Sequence, residues 1–431
     1  LKYVIIGNSA AGISCIEAIR SKDKDSAITV ISEEDYRVYS RCLLSYYLAG
    51  DITEEKLAYR ADDFYRVNKV ETMLGCRCEK IVPEKKVLKM KGRDDVAFDK
   101  LLIAAGARPN FPGIKGVEKG GVFGLRTIKD AKAILESLKG ARTVAILGGG
   151  LIGLKAAYGL STHGKDIRVI VKSDQVLSQV LDKKAGSIFR DWIAKRDIKV
   201  MTGLEAKEIV GGGQVKGVAL DDGKTLDCEM VIVGKGVQPN MEIVSGSGIK
   251  VGEGIIVDSR LKTSADNIFA AGDVAQASDR ITGESRINAL WPSAVEEGRI
   301  AGLNMAGEQV VYDGSLAMNS VEFFGLPVIS MGITKPGKDL EEIVYEDRAK
   351  NVYRKVMLKG DRAVGMICIS DIRSAGVIGA LIKNKVDVSG VKEDMLDDNF
   401  DFAKIAGLIK ETAALKSKGE FADIMLTYGD H

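Results

Sequence analysis

Two glycine-rich turns, about 140 residues apart, constrain this chain more than any other feature. The first follows the apolar run Tyr3-Val4-Ile5-Ile6 and reads Gly7-x-Ser9-x-x-Gly12 ahead of an amphipathic helical stretch. The second, Gly148-x-Gly150-x-x-Gly153, lies in TVAILGGGLIGLKAA. A strand that turns this way into a helix leaves the first helical amides without intrahelical partners, and those amides hold an anion. Glycine at the first position permits the tight turn, and a small residue at the second lets a pyrophosphate approach the backbone. Glycine at the third lets helix and strand pack closely. Ser9 takes the middle position of the first copy, and Ala11 and Ile152 precede the last glycine of each. One such turn is a weak signal. Two at this spacing imply two α/β units, each built for a dinucleotide.

The segment after each motif bears on which dinucleotide binds. In the first unit the strand AITVI ends just before Ser32, Glu33 and Glu34, and an acid about 20 residues past the glycines receives a ribose hydroxyl pair. In the second, IRVIV ends at Lys172, Ser173 and Asp174. A carboxylate there repels a 2′-phosphate and favours NADH, whereas Lys172 and Ser173 tolerate or welcome one. NADH and NADPH both stay open.

Length and charge exclude several classes. A chain of 431 residues is long enough for about three domains. Sixty-two basic against 60 acidic residues leave no global field to recruit nucleic acid, and no apolar run reaches the roughly 18 residues of a membrane span. The N-terminus enters a strand at once, so no secretory leader is expected. Cysteines 15, 42, 76, 78, 228 and 368 follow neither a disulfide framework nor a cluster-binding spacing, and a cytoplasmic, reducing setting is expected. Cys76 and Cys78 fall on one face of a strand-like run, which favours a structural role. With only His163 and His431, histidine-based catalysis or a His-rich metal site is not expected.

Three further strand ends complete a pattern: FDKLLIAAGARP, stopping at Ala105-Gly106; CEMVIVGKGVQPN, with Gly236; and LKTSADNIFAAGDVA, reaching Gly272-Asp273. With the paired glycine motifs these resemble the pyridine nucleotide–disulfide oxidoreductase family of flavoproteins over nearly all of residues 1–330. The resemblance implies an α/β fold with two Rossmann-type dinucleotide-binding domains of the glutathione-reductase-like kind and a C-terminal α+β interface domain. It places FAD on residues 1–109 and 241–315, NAD(P)H on an inserted domain 110–240, and an interface domain on 316–431, often used for homodimers. By position, Asp273 would bind the ribityl chain, with Gly272 beside it, and Ala105 and Gly106 would line the flavin-domain crossover. Gly7, Ser9, Ala11, Gly12, Glu33, Glu34 and Arg41 would serve FAD. Gly148, Gly150, Ile152, Gly153, Lys172 and Gly236 would serve the nicotinamide cofactor. Trp291 would stand beside the flavin or in the core, and Pro292 suits the first turn of the helix it opens, whose dipole favours negative charge on reduced flavin. Lys155 stands where many relatives carry an acid; it would offset charge on reduced flavin or face solvent.

Within such a family the stretch YSRCLLSYYLAG decides the electron acceptor. No C-x4-C pair is present in the first helix, which excludes the glutathione-reductase-like subclass. Counted back from Gly50, Cys42 falls on the redox cysteine of the NADH oxidase and coenzyme A disulfide reductase branch, where it would cycle through sulfenate or a mixed disulfide. Against this, Leu43 follows it where that branch has glycine. Tyr39-x-Arg41-x-x-Leu44-Ser45 looks like the Y-x-R-P-x-L-S run of rubredoxin and ferredoxin reductases and of nitrite reductase flavin modules. The expected activity is FAD-dependent exchange of electrons between NAD(P)H and a one-electron iron–sulfur partner, a rubredoxin- or ferredoxin-like protein or a subunit of a larger redox complex. The alternatives are an NAD(P)H oxidase or a peroxide, disulfide or persulfide reductase using Cys42, and a flavin-bearing scaffold or sensor.

Overall fold

The run Lys2–Ile6 is apolar on both faces, and such a strand belongs inside a parallel sheet covered by helices on either side. The computed structural model, which describes residues 1–415, places it there. Lys2–Ile6 is the middle strand of a five-stranded parallel sheet ordered Ile268–Ala270, Lys100–Ile103, Lys2–Ile6, Ala27–Ile31 and Val70–Met73. The helices Ala10–Lys22 and Trp291–Met305 pack closely together on it because Gly298 and Gly302 bring backbone against backbone. A Cβ at Gly298 would stand 2.1 Å from the Ala11 carbonyl oxygen, and one at Gly302 would stand 2.6 Å from that of Cys15.

The second glycine motif starts an equivalent layer. Thr143–Leu147 lies in a parallel sheet ordered Ile198–Thr202, Asp166–Val171, Thr143–Leu147, Met230–Val233 and Val122–Phe123. The two chain crossings between the layers pair antiparallel, Val237–Pro239 against Ala107–Pro109. A three-stranded antiparallel sheet is appended to each: Cys78–Val82, Val87–Met90 and Val96–Ala97 to the first, and Ala206–Val210, Gly217–Leu220 and Thr225–Asp227 to the second. Both layers belong to one compact unit, residues 1–176 and 194–315. Cys76 and Cys78 are buried in it and their thiols donate to the Leu74 and Lys80 carbonyls, as packing residues do.

The second compact unit takes residues 177–193 together with the chain from 316 onward. Its core is a five-stranded antiparallel sheet ordered Met318–Phe323, Leu326–Gly332, Arg362–Ile369, Val352–Lys359 and Glu341–Asp347, with the helix Ala375–Asn384 against it. The strand, hairpin and helix expected from VISMGIT, YRKVMLKGDRAVGMICIS and SAGVIGALI are these elements. A less obvious component is the helix Lys183–Ala194, which lies far upstream in the sequence. Phe189 packs edge-on to Phe323 at 4.9 Å, and the Trp192 indole N–H donates to the Phe323 carbonyl at 3.0 Å. Just before the helix, Asp182 accepts from Tyr353 Oη at 2.7 Å and from the buried ammonium of Lys355 at 3.0 Å. His431 and the last part of the expected 316–431 domain lie outside the described residues.

Candidate functional site

The first glycine loop is shaped by contacts only glycine permits. Gly7 has φ +122°, and a Cβ there would stand 2.0 Å from the Ala104 carbonyl oxygen; a Cβ at Gly12 would stand 2.0 Å from that of Gly7. Ser9 is the N-cap residue of the Ala10–Lys22 helix, yet its hydroxyl makes no cap hydrogen bond. It accepts instead from Arg41 Nε at 3.4 Å. The amides of the first helical turn stay available to an anion.

Arg41 organises the rim of this cradle. Its guanidinium pairs with Glu34, donates to Tyr39 Oη at 3.2 Å and to the Arg126 carbonyl at 2.9 Å. Tyr39 Oη donates to Glu34 at 2.6 Å and accepts the Ile128 amide at 3.0 Å. Burial, Glu34 and the Asp273 carboxylate act on Arg41 in opposite senses, and its pKa is raised. Glu33, by contrast, points to the surface and pairs with Arg77 at 3.0 Å.

Opposite the loop, Asp273 follows the strand Ile268–Ala270 and binds Arg126 at 2.5 Å. Arg126 also lies 3.5 Å from where a Cβ on Gly106 would stand, and Gly106 has φ +63°. The Ala105 carbonyl accepts from the Asn240 side chain at 2.9 Å. Gly272 meets Ala11 and Ala294, and its amide donates at 2.7 Å to Glu297, a carboxyl with 3% of its surface exposed. Burial pushes Glu297 up to about 8, against the Gly272 amide and the Tyr312 hydroxyl, which donates at 3.2 Å. Trp291 begins the Trp291–Met305 helix, half-buried against the core and edge-on to Tyr59 at 5.0 Å.

Cys42 belongs to the same constellation. Its residue is exposed, but neighbouring protein strips enough water from the sulfur to raise the thiol pKa. Arg126 and Lys155 oppose that shift and Asp273 adds to it. The helix that follows, Leu44–Ala49, is seated on the helix Leu151–Ser161 at Gly159, where a Cβ would lie 2.7 Å from Leu48 Cβ. Lys155, on that helix, faces Tyr46, with Nζ 3.3 Å from the hydroxyl and 4.6 Å from the ring centre.

The second loop repeats the first. Gly148 has φ +120°, with a Cβ there 2.5 Å from the Gly234 carbonyl oxygen, and one at Gly153 would stand 2.0 Å from that of Gly148. Gly150 and Gly236 face open space, and half-buried Ile152 begins the helix with Leu151. Lys172 pairs with Glu205 at 3.1 Å.

The structure thus brings Gly7, Ser9, Gly12, Glu34, Arg41, Cys42, Gly106, Gly272 and Asp273 into one neighbourhood, while Glu33 turns away. Sequence reading missed Arg126 and Glu297, and quoted Tyr39 only as the first letter of the Tyr39-x-Arg41 run without giving it a role. Only the capping box Thr127-x-x-Asp130 beside Arg126 was legible locally. Among the described residues no helix is long and apolar enough to cross a membrane.

Comparison with known proteins places these features. Residues 1–298 match the family model described as pyridine nucleotide-disulphide oxidoreductase, and residues 318–386 match the rubredoxin NAD+ reductase C-terminal domain. The epsilon subunit of the NADH-dependent phenylglyoxylate dehydrogenase of Aromatoleum evansii is 31% identical over 394 residues, 91% of this chain and 93% of that one. A Methanocaldococcus jannaschii protein named NADH oxidase is 30% identical, covering 97% of this chain and 98% of its own length. Among solved structures, a ferredoxin reductase from Rhodopseudomonas palustris superposes with a TM-score of 0.85 at 25% identity, over 94% of this chain and 99% of that one. The two parallel sheets with their glycine turns, the antiparallel C-terminal unit and these matches lead to one statement: the chain belongs to the pyridine nucleotide-disulphide oxidoreductase family and is a flavin-dependent NAD(P)H oxidoreductase.

Proposed function

We propose that this enzyme carries electrons between a nicotinamide nucleotide and a one-electron iron–sulfur partner, either a rubredoxin- or ferredoxin-like protein or the iron–sulfur subunit of a larger complex. Electron flow toward NAD(P)+ is equally open to it. The first glycine loop fits FAD, since glycine at 7 and 12 lets the turn close against the Ala104 and Gly7 carbonyls and leaves the first amides of the Ala10–Lys22 helix without a side-chain cap, and Asp273 stands across from it. When bound there, FAD supplies the change from a two-electron hydride to single electrons. Arg41, held by Glu34 and Tyr39, would face the phosphates, and Glu297 would fix the Gly272 amide and with it the direction of Asp273. The second loop would hold the nicotinamide nucleotide through Gly148, Gly150, Ile152, Gly153, Lys172 and Gly236.

The observation that carries this reading is the state of Cys42. A thiol that attacks peroxide or a disulfide works as a thiolate, and its surroundings lower its pKa. Here burial raises it, and although Arg126 and Lys155 pull it down, Asp273 adds to the rise and the balance stays upward. The match of 318–386 to a rubredoxin NAD+ reductase domain supports an iron–sulfur partner, and the relative named as a dehydrogenase subunit supports a place in a larger complex. The exposed Val344 and Tyr345 on the edge strand Glu341–Asp347 support association through the second unit, as in a homodimer. All six cysteines are free, which suits the cytoplasm.

A second reading, an oxidase or persulfide reductase, is favoured by the exposure of Cys42 beside Arg126 and by the relative named NADH oxidase. Rates separate the two. The purified flavoprotein should reduce rubredoxin or ferredoxin at least tenfold faster than peroxide, disulfides or oxygen, with Cys42→Ser leaving that rate within twofold. Loss of most of the activity in Cys42→Ser, with a long-wavelength thiolate-to-flavin band in the reduced parent enzyme, would establish the thiol mechanism instead.

A further inference from the structure

We infer that the second nucleotide site is built for an adenosine bearing a 2′-phosphate, so that NADPH is the preferred nicotinamide cofactor. The inference rests on the reading above that this glycine loop binds the nicotinamide nucleotide.

In a doubly wound sheet the ligand lies outside the carboxyl ends of the strands. At that edge Thr143–Leu147 delivers the Gly148 loop, Asp166–Val171 delivers Lys172, Ile198–Thr202 leads to Glu205, and Met230–Val233 leads through Gly234 to Lys235. These strands are neighbours in the sheet. The Lys235 backbone nitrogen lies 3.5 Å from where a Cβ on Gly148 would stand, so Lys235 borders the loop itself.

The charges at this edge favour an anion. Val171 closes the Asp166–Val171 strand with an apolar side chain lying against Gly149, and Lys172 and Ser173 follow. A carboxylate that would take the two ribose hydroxyls is absent from those three positions, and Asp174 comes only later in the chain. Glu205 is engaged by two ammonium groups, Lys172 at 3.1 Å and Lys207 at 3.0 Å, which hold it well below the usual carboxylate range. Asp221 accepts the Glu205 amide at 2.9 Å and lends further negative charge to Lys207. Lys172, Lys207 and Lys235 therefore stand against Glu205 and Asp221, with Asp174 following Ser173 directly.

Lys235 is the member left over. It is half-buried, and among the described residues its ammonium has no ion-pair partner. Its pKa is lowered, first by burial and then by repulsion from Lys172 and Lys207, with Glu205 opposing. A phosphate dianion entering between Lys172 and Lys235 would supply the missing charge, and Lys172 can turn to it because its side chain is 72% exposed. NADH brings nothing to those ammonium groups.

Calorimetry on the flavin-loaded protein with 2′,5′-ADP and with 5′-AMP tests this without turnover. The 2′-phosphorylated probe should bind at least tenfold tighter, with the advantage shrinking as salt is added. Lys172→Glu and, separately, Lys235→Gln should each remove most of it. KM for NADPH should likewise lie at least tenfold below that for NADH. Equal binding of the two probes, or a lower KM for NADH, overturns the inference while leaving the nucleotide site intact. A preference that survives both substitutions overturns the assignment to these lysines. If neither probe binds and neither nucleotide bleaches the flavin, the reading of the second loop itself is wrong.

Discussion

Replacing Glu297 by glutamine should flatten the pH dependence of stability of the unit that carries both glycine loops. In an unfolded chain this carboxyl titrates near its ordinary value of about 4.3, whereas in the fold burial holds its proton until about pH 8. The unfolded state gives up the proton first. The stability contributed by protonated Glu297 is therefore complete below about pH 4 and is lost as pH rises through about 8. Between about pH 5 and 8 the difference between the two titration curves integrates to about 3.5 kcal/mol. A glutamine of the same shape still accepts the Gly272 amide and meets the Tyr312 hydroxyl, but carries no titrating proton. The measurement is urea unfolding at both pH values followed by tryptophan fluorescence. Of the two tryptophans, Trp192 lies in one compact unit and Trp291 in the other, so a Trp192→Phe background reports the dinucleotide-binding unit alone. Relative to Glu297→Gln, the parent should lose about 3.5 kcal/mol on going from the lower to the higher pH. Parallel behaviour of the two proteins would refute the idea that this carboxyl is protonated in the fold.

Other consequences can be measured independently. Gly148→Ala forces a Cβ to within 2.5 Å of the Gly234 carbonyl at φ +120°, so it should abolish nucleotide binding at the second loop in calorimetry while flavin absorbance persists. Lys355→Ala strands Asp182 without the ammonium that shares its 11%-exposed position, and should destabilise the second unit by about 3 kcal/mol as read from Trp192 fluorescence. Thr127→Ala removes the cap of the Ile128–Leu138 helix, whose hydroxyl accepts the Asp130 amide at 3.1 Å, at a cost of about 1 kcal/mol in urea unfolding.

The parts of the fold legible beforehand are those that local stereochemistry dictates. A positive φ at Gly7, Gly148 and Gly106 requires glycine, so the turns stand out in the sequence, and continuous apolar runs mark the buried parallel strands. What escaped notice depends on residues far apart in the chain. Arg126 meets Asp273 across 147 residues, and nothing near either letter announces the pairing. Glu297 reads as a surface charge in AVEEGR; only the glycine-mediated closeness of two helices buries it. Glu33 and Glu34 are adjacent acids indistinguishable by spacing, and side-chain direction alone sends one to Arg77 and the other to Arg41.

The upstream helix Lys183–Ala194 has a bearing on how the chain is made. Its buried residues Ile188, Phe189 and Ile193 leave the ribosome well ahead of the strands that cover them, because Trp192 and its acceptor Phe323 are 131 residues apart and Asp182 and Lys355 are 173 apart. Until synthesis reaches that far, a sticky amphipathic hook hangs from otherwise finished structure. Copies that stop short of Leu316 keep it exposed, so incomplete molecules advertise themselves to chaperones and proteases, and a shortened version made by cutting there would need that hook rewritten in polar residues to stay in solution.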